Sequence, residues 1–135
     1  MPTQVAGLWV PGPLPGLNEL IAAAKGARGR GILYAALKRT WTDTVWAQAK
    51  SQRVHPFPGR VVIEFRWFER DRRRDPDNVA AGGRKLVLDG LVKAGVLKGD
   101  GWRFVQSWTD RFDVAADRPG VAVTLHEYVG AVLMG

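Results

Sequence analysis

Apolar and polar positions alternate along Gly59–Glu69, where Ile63, Phe65 and Trp67 are interleaved with Glu64, Arg66 and Phe68. A period of two sends successive side chains to opposite faces and predicts a strand. The other strong signal has a helical period. Leu33, Leu37, Trp41, Val45 and Ala49 recur every four residues through Ile32–Gln52 and form one apolar stripe, with Lys38, Asp43 and Lys50 off it. This predicts the longest helix, its stripe turned to the core rather than to a cofactor, and Pro56 and Pro58 end the region. Val5–Val10 reads as a short strand, stopped by Pro11-Gly12-Pro13-Leu14-Pro15-Gly16, whose prolines cannot donate to a ladder. Asn18 is a candidate cap for a short helix over Glu19–Lys25. Gly26–Gly31 reads as a basic loop, either a plain linker or a phosphate contact.

Further along, the polar run Arg70–Asn78 leads into a helix expected from about Val79 to Ala94, with Gly95 as its stop. Gly82-Gly83 lowers helix propensity near its start. Strands are expected from Phe104 to about Phe112 and over Val121–Leu125, separated by a Pro119-Gly120 turn. The apolar tail Val129–Met134 suits packing on the core or on a second subunit. The order β-α-α-β-α-β-β, closed by a hairpin, predicts one α+β domain over 1–135, with helices on one face of a small mixed sheet.

Composition narrows the chemistry. The chain has 135 residues, no cysteine and two histidines, His55 and His126. Disulfides, thiolate sites and a His-rich zinc centre are therefore excluded, so a bound metal would take oxygen ligands, as Mg²⁺, Mn²⁺ and Ca²⁺ do. No signal peptide and no 18-residue apolar stretch are recognisable, which makes a soluble cytoplasmic protein the expectation. A net charge of +7 favours a polyanionic partner, although the same charge also serves solubility.

The segment Asp75-Pro76-Asp77-Asn78 is the most informative chemically. Proline biases Asp75 towards an extended backbone, where residues two apart face the same way, so two carboxylates converge. Such a pair needs a cation, either a metal or the arginines of Arg72-Arg73-Arg74. A third carboxylate, Asp100, follows the helix, and its Asp-Gly setting is equally a turn signal. Lys85, Asp89 and Lys93 share one helix face, and such a charged face reads most simply as an exposed salt-bridge ladder. Leu88, Leu91 and Val92 supply the packing face.

Arg73-Arg74-Asp75-Pro76-Asp77-Asn78, Lys85-Leu86-Val87-Leu88-Asp89-Gly90-Leu91 and Gly95-Val96-Leu97-Lys98-Gly99-Asp100, in that order, resemble the RusA family of Holliday-junction resolvases. The resemblance spans about residues 70 to 112. It implies a RusA-like homodimer that resolves four-way DNA junctions by paired, metal-dependent nicks during recombination and repair. It also implies Mg²⁺, with Mn²⁺ as a substitute, on Asp75, Asp77 and Asp100, and an assisting lysine. Two departures stand out. Gly99 replaces the first of two adjacent acids, and Ala81 stands where the family often has its lysine, leaving Lys85 about one helical turn further on. Arg72, Arg73, Arg74, Lys93 and Lys98 are the expected phosphate contacts. The competing reading is a branched-DNA-binding protein without catalysis, and a third is an interaction protein for acidic partners.

Overall fold

The structure is a computed structural model and describes residues 3–26 and 31–129. Most of the basic loop and the tail beyond Val129 lie outside the described residues. The elements run β1 (Val5–Pro11), α1 (Leu17–Ala24), α2 (Ile32–Ser51), β2 (Val61–Glu69), α3 (Pro76–Lys93), β3 (Val105–Val114) and β4 (Gly120–Glu127). The α+β expectation and the element order hold.

The four strands form one mixed sheet in the order β1-β4-β2-β3. The pairings β1–β4 and β2–β4 are antiparallel, while β2–β3 is parallel. The expected closing hairpin is not formed: β3 and β4 each pair with β2, on opposite edges of it. Parallel neighbours need a crossover, and α3 provides it. Alternation along β2 sorts the faces. Val61, Ile63, Phe65 and Trp67 are buried, together with Val121, Val123 and Leu125 of β4 and Leu8 and Val10 of β1. The helices cover that face. The opposite face, with Trp9, Glu64, Arg66, Phe68, Arg111, Ala122 and Thr124, has no helix on it among the described residues.

The α2 stripe packs through its second half only. Val45 and Ala49 are in the core, Leu37 and Trp41 are half-buried, and Leu33 is 56% exposed. Helix α1 begins at Leu17 with Gly16 as N-cap, so Asn18 lies inside the helix rather than capping it.

Helix α3 starts earlier than the sequence pattern suggests. Asp75 is the N-cap (φ −66°, ψ 146°) and Pro76 opens the helix. Proline has the right φ for a first helical position and its missing N–H loses nothing there. Gly82 and Gly83 do not interrupt the helix; they let it pack closely. A Cβ on Gly82 would strike the backbone of Pro15–Leu17, and one on Gly83 would strike the Trp67 ring. On its buried side α3 contributes Val79, Leu86, Val87 and Leu91 to the core.

Candidate active site around α3

The start of α3 is held by its two neighbours in sequence. Arg74 donates from Nε and Nη2 to the two carboxylate oxygens of Glu69 (2.8 and 2.9 Å) and from Nη1 to Glu19 (2.6 Å). This is a planar, two-pronged match of guanidinium to carboxylate. Burial lowers the Arg74 pKa, but Glu69 and Glu19 outweigh it and the net shift is upward. On the other side, Asn78 Oδ1 accepts from the Asn18 N–H at 2.7 Å and so satisfies a free donor in the first turn of α1. Glu19 also accepts from the Gly16 N–H at 3.2 Å. The flanks of Asp75-Pro76-Asp77 are therefore tied to β2 and α1, while Asp75 and Asp77 themselves are exposed.

The early helix start changes the geometry of this pair. Asp77 stands in the first turn of α3, so the extended-backbone argument for convergence with Asp75 does not apply. A carboxylate there is favoured by the positive end of the helix dipole. The arginine account of the pair also finds no support. Arg73 pairs with Asp71 (3.5 Å), Arg74 is committed to Glu69 and Glu19, and among the described residues neither Asp75 nor Asp77 has an ion-pair partner.

Asp77, Ala81, Lys85 and Asp89 follow one another at four-residue steps along α3. Lys85 Nζ lies 3.3 Å from Asp89 and 3.6 Å from Asp100, and Lys38 of α2 reaches Asp89 at 3.3 Å. The loop after α3 thus folds back and brings Asp100 to the middle of the helix. Desolvation acts to lower the Lys85 pKa, but Asp89 and Asp100 outweigh it, so the ammonium is held above the ordinary lysine range. Asp89 is the least exposed member, its side chain 18% accessible.

The parallel crossover brings the Asp100 loop to α3 from the end opposite the N-terminal pair. In a parallel crossover the helix runs back from the end of β2 to its beginning, so Asp75 and Asp77 lie at one end of α3 and the Asp100 loop enters from the other. Asp77 and Lys85 are about 12 Å apart along the axis at 1.5 Å per residue. Among the described residues, no group of three His, Cys, Asp or Glu side chains is placed to hold a metal ion. The donors suit Mg²⁺ in chemistry, but they do not stand together as a ligand set.

The other predicted contacts divide. Lys93 pairs with Asp43, while Arg72 and Lys98 are exposed without an ion-pair partner among the described residues. Arg72 lines a hollow of about 380 Å³ with Asp71, Pro76, Val79, Phe112 and Val114, at the end of the parallel strands where β2 gives way to α3.

A cluster not anticipated from sequence joins α3 to β3. Asp110 accepts from Trp67 Nε1 at 2.9 Å and from Arg84, whose guanidinium lies 4.8 Å from the centre of the Trp108 ring. The parallel register sets Phe65 beside Asp110, a pairing that no local sequence pattern reveals.

No protein-family model matches the chain, and no curated protein matches it significantly. Among the described residues, no helix is long and apolar enough to cross a membrane.

Proposed function

We propose that this chain is a Mg²⁺-dependent, structure-specific endodeoxyribonuclease that acts as a homodimer and resolves four-way DNA junctions by paired phosphodiester cleavage, in recombination and repair. The observation that supports it most is the lysine at the centre of α3. Lys85 lies against Asp100 from beyond the helix and Asp89 from within it, on the row of positions that begins at Asp77. The ordered motif therefore has its lysine and its last acid in contact.

In this reading water attacks the scissile phosphorus and the 3′ oxygen leaves, giving a 5′-phosphate and a 3′-hydroxyl. Lys85, kept charged by its two carboxylates, offsets the negative charge that builds on the phosphoryl oxygens. Asp75 and Asp77, exposed on a fixed helix start, and Asp100 are the proposed Mg²⁺ ligands, with Mn²⁺ as a substitute. Among the described residues these three do not stand together as a ligand group. Arg72 and Lys98 remain available for backbone phosphates, whereas Arg73, Arg74 and Lys93 are engaged with carboxylates, Arg73 only with the exposed Asp71 at 3.5 Å.

The test is a labelled synthetic four-way junction incubated with Mg²⁺. Paired nicks by the wild type, lost in Asp77→Asn and in Lys85→Ala with junction binding retained, are expected. Undiminished cleavage by Asp77→Asn would remove the site assignment, and equal cutting of duplex would make the chain a general nuclease. The dispersed carboxylates favour one alternative, a branched-DNA-binding protein without catalysis. It predicts junction binding with no nick at any Mg²⁺ or Mn²⁺ concentration.

A further inference from the structure

The face of the sheet turned away from the helices holds arginines that the α3 site does not use. Arg66 and Arg111 are register partners on β2 and β3 and so project from the same face. Arg66 lies over the Phe68 ring at 5.1 Å, and Arg118 lies over the Trp9 ring at 4.8 Å. Trp9 and Phe68 contact one another, with centroids 5.7 Å apart. Two touching rings, Trp9 and Phe68, thus stand between two cations, Arg118 and Arg66. A guanidinium held over a ring is partly ordered before it binds and so loses less entropy when its donors meet an anion.

The carboxylates facing this surface are few. Asp113 pairs with Arg66 at 2.8 Å, and Glu64 stands 3.4 Å from His126. Among the described residues Arg111 and Arg118 meet no carboxylate within ion-pair distance. Between these side chains the residues of β4 are small: Gly120, Ala122 and Thr124. They leave two shallow hollows of about 530 and 330 Å³, the first floored by Ala122 and Thr124 and the second by Ala115 and Ala122.

We infer that this open sheet face is a second DNA-contacting surface, which binds the phosphate backbone of one arm of the branched substrate through Arg111 and Arg118, on either side of the Asp113-paired Arg66. The inference rests on the proposed function only for the branched form of the DNA. Charge selects the occupant. A second copy seated here face to face would bury unpaired guanidiniums against one another, which is costly, whereas a phosphate backbone supplies the missing anions. The surface lies on the opposite side of the sheet from α3, so an arm bound there is held away from the strand being cut.

The experiment measures binding of a fluorescent four-way junction by anisotropy in EDTA, so that no strand is cut, over a range of salt concentrations. For Arg111→Gln/Arg118→Gln the slope of log affinity against log salt is expected to fall by about two, one per lost phosphate contact. The affinity is expected to fall roughly tenfold at moderate salt. Arg111→Lys/Arg118→Lys should recover the slope but only part of the affinity, since lysine lacks the planar fork. Arg111→Gln alone, at a position with no ion-pair partner to lose, guards against a folding artefact and should lower the slope by about one.

Unchanged affinity and slope in the double glutamine variant would overturn the inference, and leave the nuclease reading intact if the wild type still cuts junctions. A lowered slope in a protein that never cuts would leave the surface and remove the nuclease. A wild type that binds no DNA would remove both, and an acidic protein partner would then be the occupant to seek.

Discussion

The cations of α3 and those of the open sheet face are treated oppositely by the fold. Along α3, Arg84 meets Asp110, Lys85 meets Asp89 and Asp100, and Lys93 meets Asp43. On the sheet, Arg66 alone meets a carboxylate, Asp113, while Arg118 lies over an aromatic ring and neither it nor Arg111 has a counter-charge among the described residues. The net charge of +7 is therefore not spread evenly. Paired cations fix positions and tune one another; unpaired cations attract something else. The helix side thus has the character of a site in which charge is placed, and the sheet side that of a surface on which charge is offered.

The comparison can be broken or sharpened by substitution. The largest effect is expected in cleavage: Lys85→Ala should lower the rate of junction cutting by about a hundredfold or more, as loss of a positioned charge-stabilising group does. A single-turnover assay with saturating protein measures this apart from binding, and a rate unchanged within threefold would place Lys85 in the stabilising ladder alone. Next comes Gly82→Ala. Alanine is worth about 1 kcal/mol in helix propensity, but the added carbon strikes the α1 entry and overpacking costs about 1–3 kcal/mol. The expected outcome is a net loss of up to about 2 kcal/mol by denaturant melting.

Removing the shared acid is a milder test of the paired side. Asp89→Asn should cost about 1 kcal/mol, because both Lys38 and Lys85 lose a partner that is largely buried. The contrasting substitution, Arg111→Gln, should stay within about 0.5 kcal/mol of wild type. If the two losses match, the division between placed and offered charge fails.

The smallest effect is in pH. The folded pKa of Lys85 is raised, so its stabilising contribution is complete below the unfolded value of about 10.4 and disappears as pH climbs through the higher folded value. Thermal melts should show a wild-type-minus-Lys85→Met difference that is flat from neutral pH to about pH 10 and shrinks above it. A difference that grows with alkaline pH would contradict the assigned sign.

Which of these features could be read from sequence follows from how local their causes are. Strand β2 was legible because a half-covered strand must alternate, and α3 because its apolar positions recur at helical spacing. Its start was misplaced by three residues because the polar run hid Pro76 as a first helical position. The α2 stripe overstated burial, since Leu33 extends past the elements that cover Val45 and Ala49. The motif residues were legible as a set, but their arrangement was not. Placing Asp100 beside Lys85 depends on the long crossover that joins the parallel strands β2 and β3. The Arg84–Asp110–Trp67 cluster and the Arg118–Trp9 stack join positions far apart in sequence, with no spacing to betray them.

The entry of β4 between β1 and β2 has a consequence for how the molecule comes into being. Strand β1 touches no other strand: its whole ladder, from Val5 opposite His126 to Pro11 opposite Gly120, is with β4. During folding α3 can close over the parallel pair β2–β3, but the first strand has nothing to pair with until Gly120–Glu127 is in place. Such distant pairing is slow, since the closure entropy of the long intervening chain comes before any ladder bond. Translation that stops short of β4 would therefore release a half-sheet with the apolar side of β1, Leu8 and Val10, left uncovered.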